Sequence, residues 1–151
     1  MILKKHLLIS LSILAVSIGC AAQPLKNMKP YSIEKDRLLY TVGYAHLDTE
    51  WNWNYPTTIN ELILNTMTEN FRLFEKYPCY VFNFTGSRRY NMMKEYYPSL
   101  YKKVQHYVQE GRWHVSGSSV DEGEVNISSS ESLVRQILYG NRFFFTEFGK
   151  E

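Results

Sequence analysis

The string Tyr44-Ala-His46-Leu-Asp48-Thr-Glu-Trp51-Asn-Trp53 sets an imidazole and a carboxylate two positions apart. On an extended chain, side chains two apart point to the same side. Held that way at a strand tip, they offer the nitrogen and oxygen donors that a divalent cation accepts. Trp51 follows and offers a flat apolar wall beside such a cation. A second concentration of chemistry is Gly117-Ser-Ser-Val-Asp121-Glu122-Gly123-Glu124-Val125-Asn126, with Asp121, Glu122 and Glu124 as its carboxylates. Each motif also has a plainer explanation. A lone His-x-Asp pair is often a hydrogen-bonded structural histidine, and an acidic run is often a solvated loop. The elements that carry the two motifs must decide.

Leu38-Leu-Tyr-Thr-Val-Gly43 is rich in β-favouring residues and predicts a strand ending at Tyr44, so that its tip delivers His46 and Asp48. A helix is expected from Pro56, with Thr58 and Glu61 at capping-box spacing. Ile59, Ile63, Met67, Phe71 and Phe74 recur along one helical face, and Pro78 marks the stop. Cys79 to Phe84 is nearly continuous in bulky residues, as suits a strand covered on both sides. Thr85-Gly86-Ser87 reads as a turn, followed by a helix from Arg88 to Tyr97 and another from Ser99 to Glu110. The second turns Leu100, Val104, Tyr107 and Val108 inward, with Gly111 at its end. Arg112 to Gly117 predicts a third strand, Ser118 to Ser130 a polar loop, and Ser130 to Phe148 a last helix, with Ser128 and Glu131 again at capping-box spacing. This order predicts an α/β fold with a parallel sheet and right-handed crossovers. Both motifs then lie at carboxyl ends of parallel strands, where such folds place their chemistry.

The first motif resembles the opening of glycoside hydrolase family 38, the α-mannosidases, whose first barrel strand ends in a His-x-Asp-x-x-Trp pattern. Ser130-Glu131-Ser-Leu-Val-Arg135-Gln136-Ile-Leu-Tyr-Gly140-Asn-Arg-Phe-Phe144 is similar to the segment that follows the family's nucleophile, and Glu110-Gly-Arg-Trp113 also matches. The resemblance runs from about Leu38 to Gly149. It implies the first three strands of a seven-stranded parallel β/α barrel, occupying residues 37–151, with the general acid and a further histidine ligand beyond this chain. By register from Glu131 the nucleophile position falls on Glu124, where the family carries an aspartate that is also a metal ligand. The resemblance therefore implies Zn2+ or a similar metal on His46, Asp48 and Glu124, sugar stacking on Trp51, and a mannose-containing glycan as substrate. Glutamate moves the carboxylate by one methylene, which matters because retaining chemistry sets its two carboxyls roughly 5 Å apart. Asp121 is the fallback nucleophile, and Asp121 and Glu122 are otherwise loop supports. Tyr44 stands where many members carry a second histidine.

The bulk numbers fit one modest domain. Of 151 residues, 44% are hydrophobic, enough for a core. The net charge of +2 gives no electrostatic case for nucleic acid or an anionic membrane. Met1 to Gln23 reads as an export signal, with Lys4 and Lys5 ahead of an apolar run from Leu7 to Ile18. Ser17-Ile-Gly-Cys20 resembles a lipobox, which would anchor a lipidated Cys20 at a periplasmic or cell surface; ordinary cleavage near Cys20-Ala-Ala-Gln23 is the alternative. Residues 24–36 read as a linker. With Cys20 in the leader, Cys79 is expected to be a lone thiol in the body.

Two other functions fit the same residues. A metal-dependent carbohydrate deacetylase also uses His and Asp at barrel strand ends, and a non-catalytic sugar-binding lipoprotein would need only the aromatic surface. His106 is expected at the surface and His114 in packing or a hydrogen bond. Arg88 and Arg89 are expected in a solvated loop, with contact to a sugar or carboxylate as the alternative. Trp53 is expected to pack the motif loop. Asn83-Phe-Thr85 and Asn126-Ile-Ser128 fit the glycosylation pattern, the first within a strand expected to be buried.

Overall fold

A computed structural model describes residues 32, 34–37, 39 and 44–149. The leader, Cys20 and most of the linker lie outside the described residues, as does the expected first strand before Tyr44, apart from Leu39. The elements are β1 (Tyr44–Ala45), α1 (Tyr55–Thr57), a π-helical turn (Thr58–Ile63), α2 (Leu64–Lys76), β2 (Phe82–Phe84), α3 (Ser87–Tyr96), α4 (Pro98–Gln109), β3 (Trp113–Val115) and α5 (Ser130–Phe148). The three strands form one parallel sheet in the order β1-β2-β3. Tyr44 pairs with Asn83, and Phe82, Asn83 and Phe84 pair with Trp113, His114 and Val115. β2 and β3 are shorter than the expected Cys79 to Phe84 and Arg112 to Gly117, and the strands follow one another in the anticipated order and parallel sense. The described residues make an open three-stranded sheet with helices; a closed seven-stranded barrel is not among them.

The apolar face anticipated for the helix from Pro56, which runs through the π-helical turn into α2, is where the core sits. Ile59, Ile63, Met67, Phe71 and Phe74 are all buried, and Val104 and Val108 join them from α4. Trp113 of β3 stands at the centre. Its ring lies 4.8 Å from that of Phe82 and 6.2 Å from those of Phe74 and Phe84. Trp113 Nε1 donates to Tyr90 Oη at 2.9 Å, and Tyr90 Oη donates to the Phe84 carbonyl at 2.9 Å. The one polar edge of each ring is thereby satisfied inside the core, the condition for burying Trp and Tyr whole. Burial drives the Tyr90 phenol well above its ordinary range.

Two capping boxes are corrected. Asn54, not Thr58, caps the first helix, its side chain accepting from Thr57 N at 3.1 Å. Thr58 is fully buried and ties the motif loop down: its hydroxyl donates to the Thr49 carbonyl at 2.6 Å and accepts from Trp53 Nε1 at 2.9 Å. Trp53 thus packs the loop as expected. At α5 the cap is Ser129, accepting from Ser132 N at 3.2 Å, while Glu131 pairs with Arg135 at 2.8 Å. In both cases another residue with a short polar side chain, four positions before Thr58 and one after Ser128, has the extended backbone that a cap requires. Cys79 is disulfide-bonded, which corrects the expectation of a lone thiol; its partner lies outside the described residues.

Candidate metal and sugar site

The carboxyl ends of the three strands open into a cleft of about 270 Å³, with Tyr44, Asn83, Thr85, Ser116, Gly117 and Glu122 among its lining. On its β1 side, His46 Nε2 lies 3.3 Å from Asp48 Oδ1. His46 Nδ1 lies 3.3 Å from Tyr44 Oη. The two-residue spacing has therefore done what an extended chain predicts, and the pair stands at the tip of β1. Two donors about 2.0–2.1 Å from a tetrahedral zinc stand roughly 3.3 Å apart, so the His46–Asp48 separation suits two ligands of one such ion. Tyr44 occupies the other ring nitrogen, the kind of contact that fixes which nitrogen faces a metal.

The acidic loop is divided. Asp121 turns inward: its Oδ2 accepts from Thr49 Oγ1 at 2.5 Å, and its Oδ1 lies 3.4 Å from Arg89 Nη2. Glu122 Oε1 is also 3.4 Å from Arg89 Nη2. Both support the loop, as expected. Glu124 faces solvent, and its Oε1 accepts from the backbone N and Nδ2 of Asn126 at 2.9 and 3.0 Å. Among the described residues no group of three His, Cys, Asp or Glu side chains gathers closely enough to hold an ion. The structure thus joins His46 to Asp48 and leaves Glu124 in its own turn.

The base of the loop is fixed by α5. Val120 N donates to the Gln136 carbonyl at 3.1 Å and Asp121 N to Gln136 Oε1 at 2.9 Å. Gly140 allows this approach, since a Cβ there would collide with the Ser118 carbonyl. Trp51 is 74% exposed, free to meet a ring from solvent. His106 is exposed, 3.2 Å from Glu110, and His114 is exposed on β3 beside Asn83.

Arg89 is the clearest miss. Both arginines open α3, in keeping with the helix expected from Arg88 and not with a solvated loop. Arg88 is exposed and donates to Tyr55 Oη at 2.8 Å, whereas Arg89 is fully buried. The signal was present in the acidic pair itself, because carboxylates brought to the inner side of a strand-end loop need a cation.

A sequence model described as the glycosyl hydrolases family 38 N-terminal domain matches residues 37–151. The chain belongs to glycosyl hydrolase family 38. It is 32% identical over 121 residues to Alpha-mannosidase G of Dictyostelium discoideum, covering 80% of this chain and 11% of that protein. It is 31% identical over 117 residues to human Alpha-mannosidase 2C1, covering 78% of this chain and 11% of that protein. An Alpha-mannosidase of Saccharomyces cerevisiae is 29% identical over 129 residues, covering 83% and 12% respectively. The family 38 chain described here thus spans about a tenth of the length of the curated relatives it matches.

Proposed function

We propose that the chain is the N-terminal part of a metal-dependent retaining α-mannosidase that cleaves mannose-containing glycans, and that these residues form the opening strands of its barrel. The observation that carries this is the family match over residues 37–151, with His46 and Asp48 side by side at the carboxyl end of a parallel strand. In this proposal His46 and Asp48 hold Zn2+ or a similar ion. The metal, when bound, supplies a Lewis-acid grip on neighbouring sugar hydroxyls.

The remaining steps belong to side chains. Tyr44 keeps the His46 ring oriented through Nδ1. Trp51 stacks on the sugar. Glu124 serves as the attacking carboxylate and as a further ligand, and water later releases the sugar from it. For that role the Glu124–Asn126 turn must open, because Asn126 engages the Glu124 carboxylate. The acid that protonates the leaving oxygen is not assigned to a residue of this chain. Residues 1–23 are proposed as the export leader and 24–36 as the linker, leading to a periplasmic or cell-surface site; the disulfide at Cys79, with Cys20 the other cysteine of the sequence, speaks against a lipid anchor on Cys20.

Two features support a catalytic unit larger than these residues. The sheet is open, and α5 leaves Val134, Ile137, Leu138 and Phe145 46–61% exposed. The isolated 151-residue chain is therefore expected to bind Zn2+ through His46 but not to turn over a fluorogenic α-mannoside. Robust turnover by that chain would overturn the statement that the fragment is inactive. Zinc binding that survives His46→Ala would overturn the metal assignment. A non-catalytic sugar-binding segment is the second possibility, favoured by the exposure of Trp51 and the separate position of Glu124. Mannose binding that persists in Glu124→Ala, with no turnover in any longer form, would establish it.

A further inference from the structure

We infer that Arg89 is the positioning residue for the His46–Asp48 pair. This rests on the proposed metal role of those two side chains, but the contacts themselves do not. Arg89 is the one arginine or lysine side chain among the described residues that is fully buried. It sits at the first turn of α3 and reaches all three strand tips. Its Nε donates to the carbonyl of Leu47, the residue between the two candidate ligands. Its Nη1 lies 3.4 Å from the Thr85 carbonyl beyond β2. Its Nη2 lies 3.4 Å from both Asp121 and Glu122 in the loop beyond β3.

These contacts have a geometric consequence. A peptide carbonyl held from inside the protein fixes the plane between Leu47 and Asp48 and, through Leu47, the direction of His46. The same loop is gripped a second time, because Asp121, paired to Arg89, accepts from Thr49 Oγ1 at 2.5 Å. Leu47 is itself buried, so its carbonyl has little access to water as a substitute partner. A planar guanidinium can meet three strand tips at once; an ammonium presents a point charge on a flexible stem and cannot span them. The backbone is shaped to admit it. Gly86 has φ +77°, and a Cβ at that position would collide with Arg89 Nη1. Glycine before the helix thus serves the arginine as well as the turn.

The test is carried out on the whole 151-residue chain, with NMR and zinc titration read together. In Arg89→Lys, the His46 ring and Leu47 carbonyl signals are expected to move or broaden, while the His106 and His114 ring signals stay in place. Zinc affinity is expected to fall by about 10- to 100-fold, the usual cost of losing a group that orients a ligand. Unchanged His46 and Leu47 signals overturn the inference. So does a uniform change that takes His106 and His114 with it, since that is what a merely structural role would give. A second measurement needs no variant: a scalar coupling from Arg89 Nε across to the Leu47 carbonyl carbon is expected in the wild-type chain. Its absence overturns the inference even where Arg89→Lys fails to fold. If the wild-type chain binds no zinc through His46, the metal proposal falls, and the NMR signals alone still decide whether Arg89 positions the loop.

Discussion

Asp121 and Glu124 lie three positions apart in one acidic loop and have opposite fates. Asp121 is held by Thr49, by Arg89 and, through its backbone, by Gln136. Glu124 is bonded within its own turn, its side chain to Asn126 and its carbonyl to the backbone N–H groups of Ile127 and Ser128. One carboxylate is part of the scaffold that joins the three strand tips; the other is available. The difference teaches that an acidic cluster is not one feature. A buried cation selects which members turn inward, and the member out of its reach keeps to its own turn.

The sharpest way to break this contrast is Arg89→Met. It leaves the Leu47 carbonyl unpaired and removes the cation between Asp121 and Glu122, so a loss of about 3 kcal/mol in unfolding free energy is expected, measured by urea titration. A loss under about 1 kcal/mol would mean that the loop does not depend on this residue. Gly140→Ala should cost about 2 kcal/mol by forcing α5 away from the Ser118 carbonyl. Its crystal structure should show Asp121 displaced and the Glu124–Asn126 turn intact. Asp121→Ala should cost about 1–2 kcal/mol through the lost Thr49 and Arg89 contacts. Glu124→Gln should change stability by less than about 0.5 kcal/mol, since an amide oxygen still accepts from Asn126. In any longer form of the protein that hydrolyses α-mannosides, the same change should abolish turnover. Equal stability losses in Asp121→Ala and Glu124→Gln would erase the contrast altogether.

A second pair of regions repeats the lesson at the level of whole helices. The apolar face of the π-helical turn and α2 was legible because Ile63, Met67, Phe71 and Phe74 recur with helical period, and they are buried in the core with Trp113. The sequence of α5 is just as clear in its period, yet Val134, Leu138 and Phe145 remain exposed, and Phe144 alone of its aromatics is fully inside. Periodicity reports that a helix has an apolar face; it does not say which neighbour covers that face.

Local chemistry was legible in this sequence. Strand and helix order followed from periodicity and from proline and glycine positions, and the His46–Asp48 pair followed from the period of an extended chain. The helix caps were read one to four positions away from their true places, because several short polar residues compete there and the backbone angles choose among them. For Arg89 the sequence favours solvation, because a basic residue after a turn is ordinarily solvated, and contact with a carboxylate is only the alternative reading. Its burial depends on the Leu47 and Thr85 carbonyls, Asp121 and Glu122 arriving from three strand tips at once. Electrostatic partners far apart in sequence become neighbours only when the sheet assembles, so tertiary structure alone decided which charges were structural and which were left free.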